Sequence, residues 1–304
     1  MGFTDEISKK VNQAVLKAKD KLHDHQSSNS TTYNRPAAAT PQGNCPIQLQ
    51  FYTHNIRQDA KNRMENERTW PERMPGVVRL IRYVSSSNPT LVGLQEVKNN
   101  QLNDIMRELG REWTYFGVGR DDGKKKGEYS PILFKNSDFE LLSGKTYWLS
   151  DTPDRVSKGW DAAFERIVTK VSMRHRQSGK VINFFNTHYD HRGKVAREKS
   201  SFQILDLMKK SQGINVLAGD FNSEPKHEAY KTLEKSLIES SKGCRQRAGF
   251  EHTVTGFTLG KKESSIDFIW VTPNIPILYH EVLDQTYGNY LCSDHRPVRA
   301  IIEV

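Results

Sequence analysis

Short apolar runs that stop on a carboxylate, an amide or an imidazole recur along this chain. Residues 91–94 run into Gln95-Glu96, residues 181–186 into Thr187-His188-Tyr189-Asp190, and residues 214–218 into Gly219-Asp220-Phe221-Asn222. Asn55 lies just beyond the run 48–52, Asp294-His295 precede the run 298–302, and Asp267 sits inside Ile266-Asp267-Phe268-Ile269-Trp270. Runs of this length are β-strands rather than membrane spans. Burying so many ionisable groups one by one is costly, whereas a shared rim that holds a metal and a phosphate employs them together.

Further strands are expected at 115–118, 130–134 and 164–171, and helices at 74–85, 101–109, 195–212 and 227–237. Strands that alternate irregularly with a few helices point to two β-sheets packed face to face, with helices on their outer faces. This pattern begins near Ile47. Before it, Phe3, Ile7, Val11, Val15, Ala18 and Leu22 recur at helical spacing among lysines, and a Ser/Thr/Asn-rich stretch leads into Pro36 and Pro41. Residues 1–46 therefore read as a basic amphipathic helix plus flexible linker, and residues 47–304 as the catalytic domain. The helix, over residues 1–24, has two readings: a contact to a membrane surface or a protein, or an appendage packed on the main domain.

The net charge of +9 favours polyanions without choosing among nucleic acid, phosphoinositides and phosphorylated metabolites. No secretory signal and no membrane-length apolar stretch is visible, and the 3 cysteines form no Cys-x-x-Cys pair. The expectation is a cytoplasmic or nuclear protein with reduced thiols.

Phosphoester cleavage needs a positioned water, charge stabilisation on the phosphoryl oxygens and a proton for the leaving oxygen. A hard cation on a carboxylate such as Glu96 supplies Lewis acidity. A histidine transfers protons near neutrality, and a buried carboxylate orients it and stabilises its charged form, the role expected of Asp267 beside His295. Asn55 and Asn222 can position a phosphate oxygen or water without adding charge.

Six motifs in order resemble the endonuclease/exonuclease/phosphatase (deoxyribonuclease-I-like) superfamily: Asn55 in His54-Asn55-Ile56-Arg57, Glu96 in Gly93-Leu94-Gln95-Glu96-Val97, His188 in Asn186-Thr187-His188, Gly219-Asp220-Phe221-Asn222-Ser223-Glu224-Pro225, Ser265-Ile266-Asp267-Phe268-Ile269, and Ser293-Asp294-His295-Arg296-Pro297. The resemblance implies an α+β fold, a four-layer α/β/β/α sandwich of two mainly antiparallel mixed sheets with outer helices. It implies one Mg2+ (or Mn2+) held by Glu96, assisted by Asn55 and Asp294. It gives His188 the phosphate and the leaving group, Asp220 and Asn222 the attacking water, and the His295–Asp267 pair the role of base or phosphate ligand. The segment from Trp148-Leu149-Ser150-Asp151 to Trp160-Asp161 and Arg166 looks like a compact subgroup of such hydrolases, where Arg166 clamps a phosphate and Tyr129 faces the cleft; a packed Trp with a surface Arg is the other reading. Asp190 is either part of that substrate-binding set or surface polar.

Within the superfamily the Gly-Asp-Phe-Asn-Ser-x-Pro pattern looks closest to carbon-catabolite-repressor-type deadenylases and nocturnin, which favours nucleic acid as substrate, with a 3′-5′ exoribonuclease among the readings. A phosphatase or a sphingomyelinase-like phospholipid phosphodiesterase is the alternative enzyme. A catalytically inactive nucleic-acid-binding module is the alternative of another class. The sequence leaves the oligomeric state open.

Overall fold

The computed structural model describes residues 46–260 and 263–304. The helix and linker expected over residues 1–46 lie, apart from Pro46, outside the described residues. Among the described residues no helix is long and apolar enough to cross a membrane.

Two sheets form the centre. In the first, seven strands run in the order β10 (Cys244–Gly249), β12 (Ile277–Val282), β15 (Val298–Glu303), β1 (Gln48–Asn55), β2 (Thr90–Gln95), β4 (Ile132–Lys135) and β3 (Trp113–Phe116). The second has six, in the order β5 (Phe139–Trp148), β6 (Ile167–His175), β7 (Val181–His188), β8 (Ile214–Asp220), β11 (Asp267–Val271) and β9 (Ile238–Glu239). Most neighbours are antiparallel; β1–β2, β7–β8 and β10–β12 are parallel. A small hairpin, β13 (Thr286–Tyr287) and β14 (Tyr290–Leu291), stands apart.

Strand alternation sorts the side chains into layers. Leu49, Phe51, Leu91, Phe134, Ala300 and Ile302 from the first sheet meet Val171, Ile182, Phe184, Val216 and Ile269 from the second in the central core. The opposite face of the first sheet, with Tyr52, Val92 and Leu94, packs on helices α1 (Trp70–Val84) and α2 (Asn99–Leu109) through Val77, Ile81 and Ile105. The outer face of the second sheet packs Phe185, Leu217 and Trp270 on α3 (Lys194–Lys209) and α4 (Glu228–Glu234) through Ile204, Met208 and Leu233. A short helix, α5 (Ser240–Gly243), links β9 to β10. The chain is thus an α+β, four-layer α/β/β/α sandwich, as the resemblance implied.

Several elements depart from the sequence reading for local reasons. Helix α1 starts at Trp70 rather than 74, because Glu72 accepts the Thr69 N–H at 2.9 Å in a capping arrangement and Pro71 suits the first turn. Strand β6 starts at Ile167 rather than 164, because the Phe164 N–H turns aside to Asp190 at 3.2 Å. Strand β5 carries five consecutive exposed residues, Glu140 being half-buried before them, so no period-two pattern announces it. Strand β12 is short and half-buried on alternate residues, with His280 among its buried positions.

The two sheets are fastened to each other beneath one rim. Asn186 of β7 donates its amide N–H to Leu94 O at 2.8 Å and Pro131 O at 2.9 Å across the sandwich, and accepts from Gln95 Nε2 at 2.6 Å. Gln95 also donates to Thr53 Oγ1 at 2.9 Å. Gly93 makes room for this bridge, since a Cβ there would lie 2.8 Å from the Asn186 side chain.

Candidate active site at the sheet rim

The strand directions bring the polar strand ends together. β1 and β2 run parallel, so both finish at the same edge, where Asn55 faces Gln95 in register and Glu96 follows. β7 and β8 run parallel in the other sheet and finish on the same edge, where His188 faces Asp220. The antiparallel neighbours begin there: Asp267 opens β11 opposite Asp220, and β15 starts opposite Thr53, which sets Asp294 and His295 at the rim. Topology alone therefore gathers residues spread over 240 positions.

The side chains form one connected network. Asn55 Nδ2 joins the two sheets, donating to Glu96 Oε1 at 3.1 Å and to Asp220 Oδ2 at 2.9 Å. Its Oδ1 accepts the Arg57 N–H at 3.0 Å. His295 Nδ1 lies 2.9 Å from Asp267 Oδ2, which also accepts from Thr253 Oγ1 at 2.6 Å. His295 Nε2 and His188 Nε2 lie 3.9 and 3.5 Å from Asp220 Oδ2. Asn222 binds His188 Nε2 and Tyr189 O, both at 3.0 Å, and its N–H reaches Asp220 Oδ1 at 2.9 Å. Glu96 and Asn222 hold positive φ of 58° and 45°, a strained conformation for non-glycine residues that turns each side chain back over the rim. Gly219, at φ 152°, lets β8 press against β7; a Cβ there would lie 2.0 Å from Thr187 O.

Burial and mutual charge set the protonation states. Burial, then the Asp267 charge, pushes the Asp220 carboxyl up to about 7. Burial opposes the charge on His295, but the Asp267 carboxylate, with Asp294 and Asp220, outweighs it and holds the imidazole well above its ordinary value. Burial, then the Arg166 and Arg120 guanidiniums, keeps His188 neutral, well below its ordinary value. Burial raises Glu96, yet the Gln58 N–H, Asn55 and Arg57 bring its carboxyl below the usual value. Asp294 is raised by burial and by the charge of Glu96.

Glu96 and Asp294 are half-buried at the opening, are electrostatically coupled, and present hard carboxylate oxygens suited to Mg2+ or a similar ion. The donor atoms of Asp220, Asp267 and His295 also converge within 4.8 Å of one another, but there the His295–Asp267 hydrogen bond already answers the negative charge. Asn55 reaches Glu96 through its nitrogen, so it braces the carboxylate, while its oxygen is taken by Arg57.

The remaining candidates sit beside this cluster. Arg166 is buried, with Nε 3.3 Å from Asp190 Oδ2. Asp190 also accepts the N–H groups of Arg192 and Gly193 at 2.9 and 2.8 Å, so it fixes the arginine and the loop and stays a carboxylate. Tyr129 lies in the outer core under α1 and α2, and its hydroxyl donates to Asn99 Oδ1 and Lys124 O at 3.1 and 3.0 Å; its phenol is engaged there and not with His188 or Asp220. Its neighbour Glu128, absent from the sequence reading, is buried with Oε2 2.8 Å from Arg120 Nη1 and 3.9 Å from His188 Nδ1. The signal was present: β4 is antiparallel to β2, so a carboxylate just before β4 belongs to the same rim. Thr253, Arg57 and Arg120 carried no such signal, since none of them ends a strand.

Residues 52–295 match the Endonuclease/Exonuclease/phosphatase family. A relative from Acanthamoeba polyphaga mimivirus, an uncharacterized protein, is 26% identical over 270 residues, 77% of this chain and 92% of its own. An endonuclease/exonuclease/phosphatase family protein from Bacteroides thetaiotaomicron superposes with a TM-score of 0.79 at 32% identity, over 86% of this chain and 99% of that one. A mannosyl-6-phosphatase from the same species superposes at 0.78 with 33% identity, over 83% and 98%.

Proposed function

This chain belongs to the endonuclease/exonuclease/phosphatase family, and we propose that it is a divalent-metal-dependent phosphomonoesterase acting on a small polyhydroxylated phosphate ester of the sugar phosphate kind. The observation that carries this reading is the pair of buried guanidiniums beside the cluster, Arg120 on Glu128 at 2.8 Å, itself 3.9 Å from His188, and Arg166 on Asp190 at 3.3 Å. A terminal phosphate carries a second negative charge that a diester lacks, and two buried arginines beside the phosphate-facing histidine answer it. The resemblance to a mannosyl-6-phosphatase along nearly its whole length supports the same choice.

In this reading Glu96 and Asp294 would hold the divalent ion, which would supply Lewis acidity toward a phosphoryl oxygen. Asp220 accepts a proton from the attacking water, which Asn222 and Asn55 help to place. His295, charged and held by Asp267, donates a hydrogen bond to the phosphoryl oxygen, and neutral His188 contacts another. The water oxygen bonds to phosphorus, the ester bond breaks, and the departing oxygen leaves as the alcohol with a proton from solvent at the rim.

A second reading, hydrolysis of nucleic acid, draws on the net charge of +9 and the exposed Lys124, Lys125 and Lys126 at the edge of the Arg120 loop. A panel of mannose 6-phosphate, glycerol 3-phosphate, AMP, single-stranded RNA and DNA and sphingomyelin, each with Mg2+, Mn2+ or chelator, separates the two. The expected result is turnover of monoesters that chelator abolishes. Turnover confined to RNA or DNA would replace the first reading with the second, and activity indifferent to chelator would remove the metal from both.

A further inference from the structure

Phe164 stands beside the site with 46% of its surface exposed. A lone exposed apolar side chain is ordinary; one fixed from every side is not. Its N–H donates to Asp190 Oδ2 at 3.2 Å. Its ring stacks on His191, with centroids 5.7 Å apart and planes at 24°. The Arg120 and Arg166 guanidinium carbons lie 5.1 and 5.8 Å from its centroid. The loop that carries it is pinned as well: Leu149 N–H donates to Arg166 O at 2.7 Å, Trp160 Nε1 to Asp151 Oδ1 at 3.1 Å, and Asp161 accepts the Ala196 N–H at the start of α3 at 2.7 Å.

The same contacts tie this ring to the chemistry. Arg120 is paired with Glu128, and Glu128 approaches His188, so two side chains separate the ring from the phosphate-facing imidazole. Arg166, only 5% exposed, has an Nη1 with no hydrogen-bond partner among the described residues. A buried guanidinium N–H left open beside a rigid aromatic face is a place for a ligand oxygen next to a ligand ring.

We propose that Phe164 and Arg166 form the leaving-group subsite, in which the C–H face of a pyranose rests on the Phe164 ring and one of its oxygens accepts from Arg166 Nη1. The proposal rests on the phosphomonoesterase reading and adds the substrate class to it. Glu128 and Arg120 stand between His188 and the ring, which matches a sugar ring joined to its phosphate through a single carbon. A nucleobase is held a whole ribose farther out. The platform therefore selects ring-bearing monoesters over acyclic ones, and its effect falls on binding.

The test compares wild type with Phe164→Ala and Phe164→Trp on mannose 6-phosphate, glycerol 3-phosphate and AMP. Phe164→Ala is expected to raise KM for mannose 6-phosphate by roughly 10-fold or more, with kcat and the glycerol 3-phosphate parameters held within about 2-fold, and Phe164→Trp to restore the preference. An equal loss on hexose and glycerol phosphates, or no loss on either, overturns the subsite while leaving phosphomonoester hydrolysis intact. A loss confined to AMP overturns the pyranose in favour of a nucleobase. If wild type hydrolyses no monoester, the functional reading fails separately. Calorimetric titration of mannose 6-phosphate into wild type and Phe164→Ala then decides the subsite: equal affinities, or no binding to wild type, remove it.

Discussion

At the scale of single residues, the rim sets opposite protonation states in near neighbours. His295 is charged because the Asp267 carboxylate lies 2.9 Å away, while His188 is neutral because burial and two arginines oppose its proton. Replacing Asp267 by Asn would keep the shape and remove the charge. Asp267→Asn and His295→Ala should each lower kcat by roughly 100- to 10,000-fold with little change in thermal midpoint, the range for losing a proton-transferring or charge-stabilising group. Activity within a few-fold of wild type would remove the pair from the chemistry. Glu96→Gln should instead shift the metal titration, raising the Mg2+ or Mn2+ concentration for half-maximal activity, because it deletes the charge that favours the cation at Asp294. An unchanged midpoint would move the ion elsewhere.

At the scale of elements, the rim depends on how closely the sheets are drawn together below it. The Asn186 side chain from β7 satisfies Leu94 O and Pro131 O in the opposite sheet and receives Gln95. Asn186→Ala leaves these groups underbonded in a dry interior, and should cost about 2–3 kcal/mol, read as a lower urea midpoint. A change below about 0.5 kcal/mol would mean that the bridge is dispensable. The elements the sequence displayed were those with clear apolar positions: β2, β7 and β8 carry near-continuous apolar stretches, while β1 and β15 interleave apolar with polar residues. β5 was hidden because its exposed middle residues have no period, and the helix expected at 74–85 missed its first turn because the Thr69–Glu72 cap starts it at Trp70.

At the scale of the whole molecule, one buried group far from the chemistry adds to the loss of stability in acid. His280, on β12, is 3% exposed, accepts or donates only to Ser240 Oγ at 2.8 Å, and burial, then Arg247, lowers it from 6.5 to about 4. The folded form thus resists a proton that the unfolded chain takes readily. Above about pH 6.5 the residue contributes no pH dependence; as pH falls from 6.5 to about 4 stability drops, by about 3 kcal/mol at about 1.4 kcal/mol per pH unit, and below that the loss levels off. His280→Gln should flatten this part of the curve in urea titrations across pH 4–7. An unaltered slope would place the loss on the carboxylates instead.

The reaction class was legible from six short motifs in order, because polar groups at strand ends leave a mark that survives without coordinates: an apolar run bordered by a carboxylate, amide or imidazole. Asn55, Glu96, His188, Asp220 and Asn222 follow such runs, Asp294 and His295 precede one and Asp267 lies inside one, and the strand directions gather all eight at one rim. What surrounds them came from packing across the fold. Tyr129 turned its hydroxyl to Asn99 and Lys124, Glu128 came to His188, and Phe164 became a fixed ring between two arginines. These contacts join loops from different strands, so their partners are set by packing across the fold and by no local period. Loops are where a single sequence is least explicit.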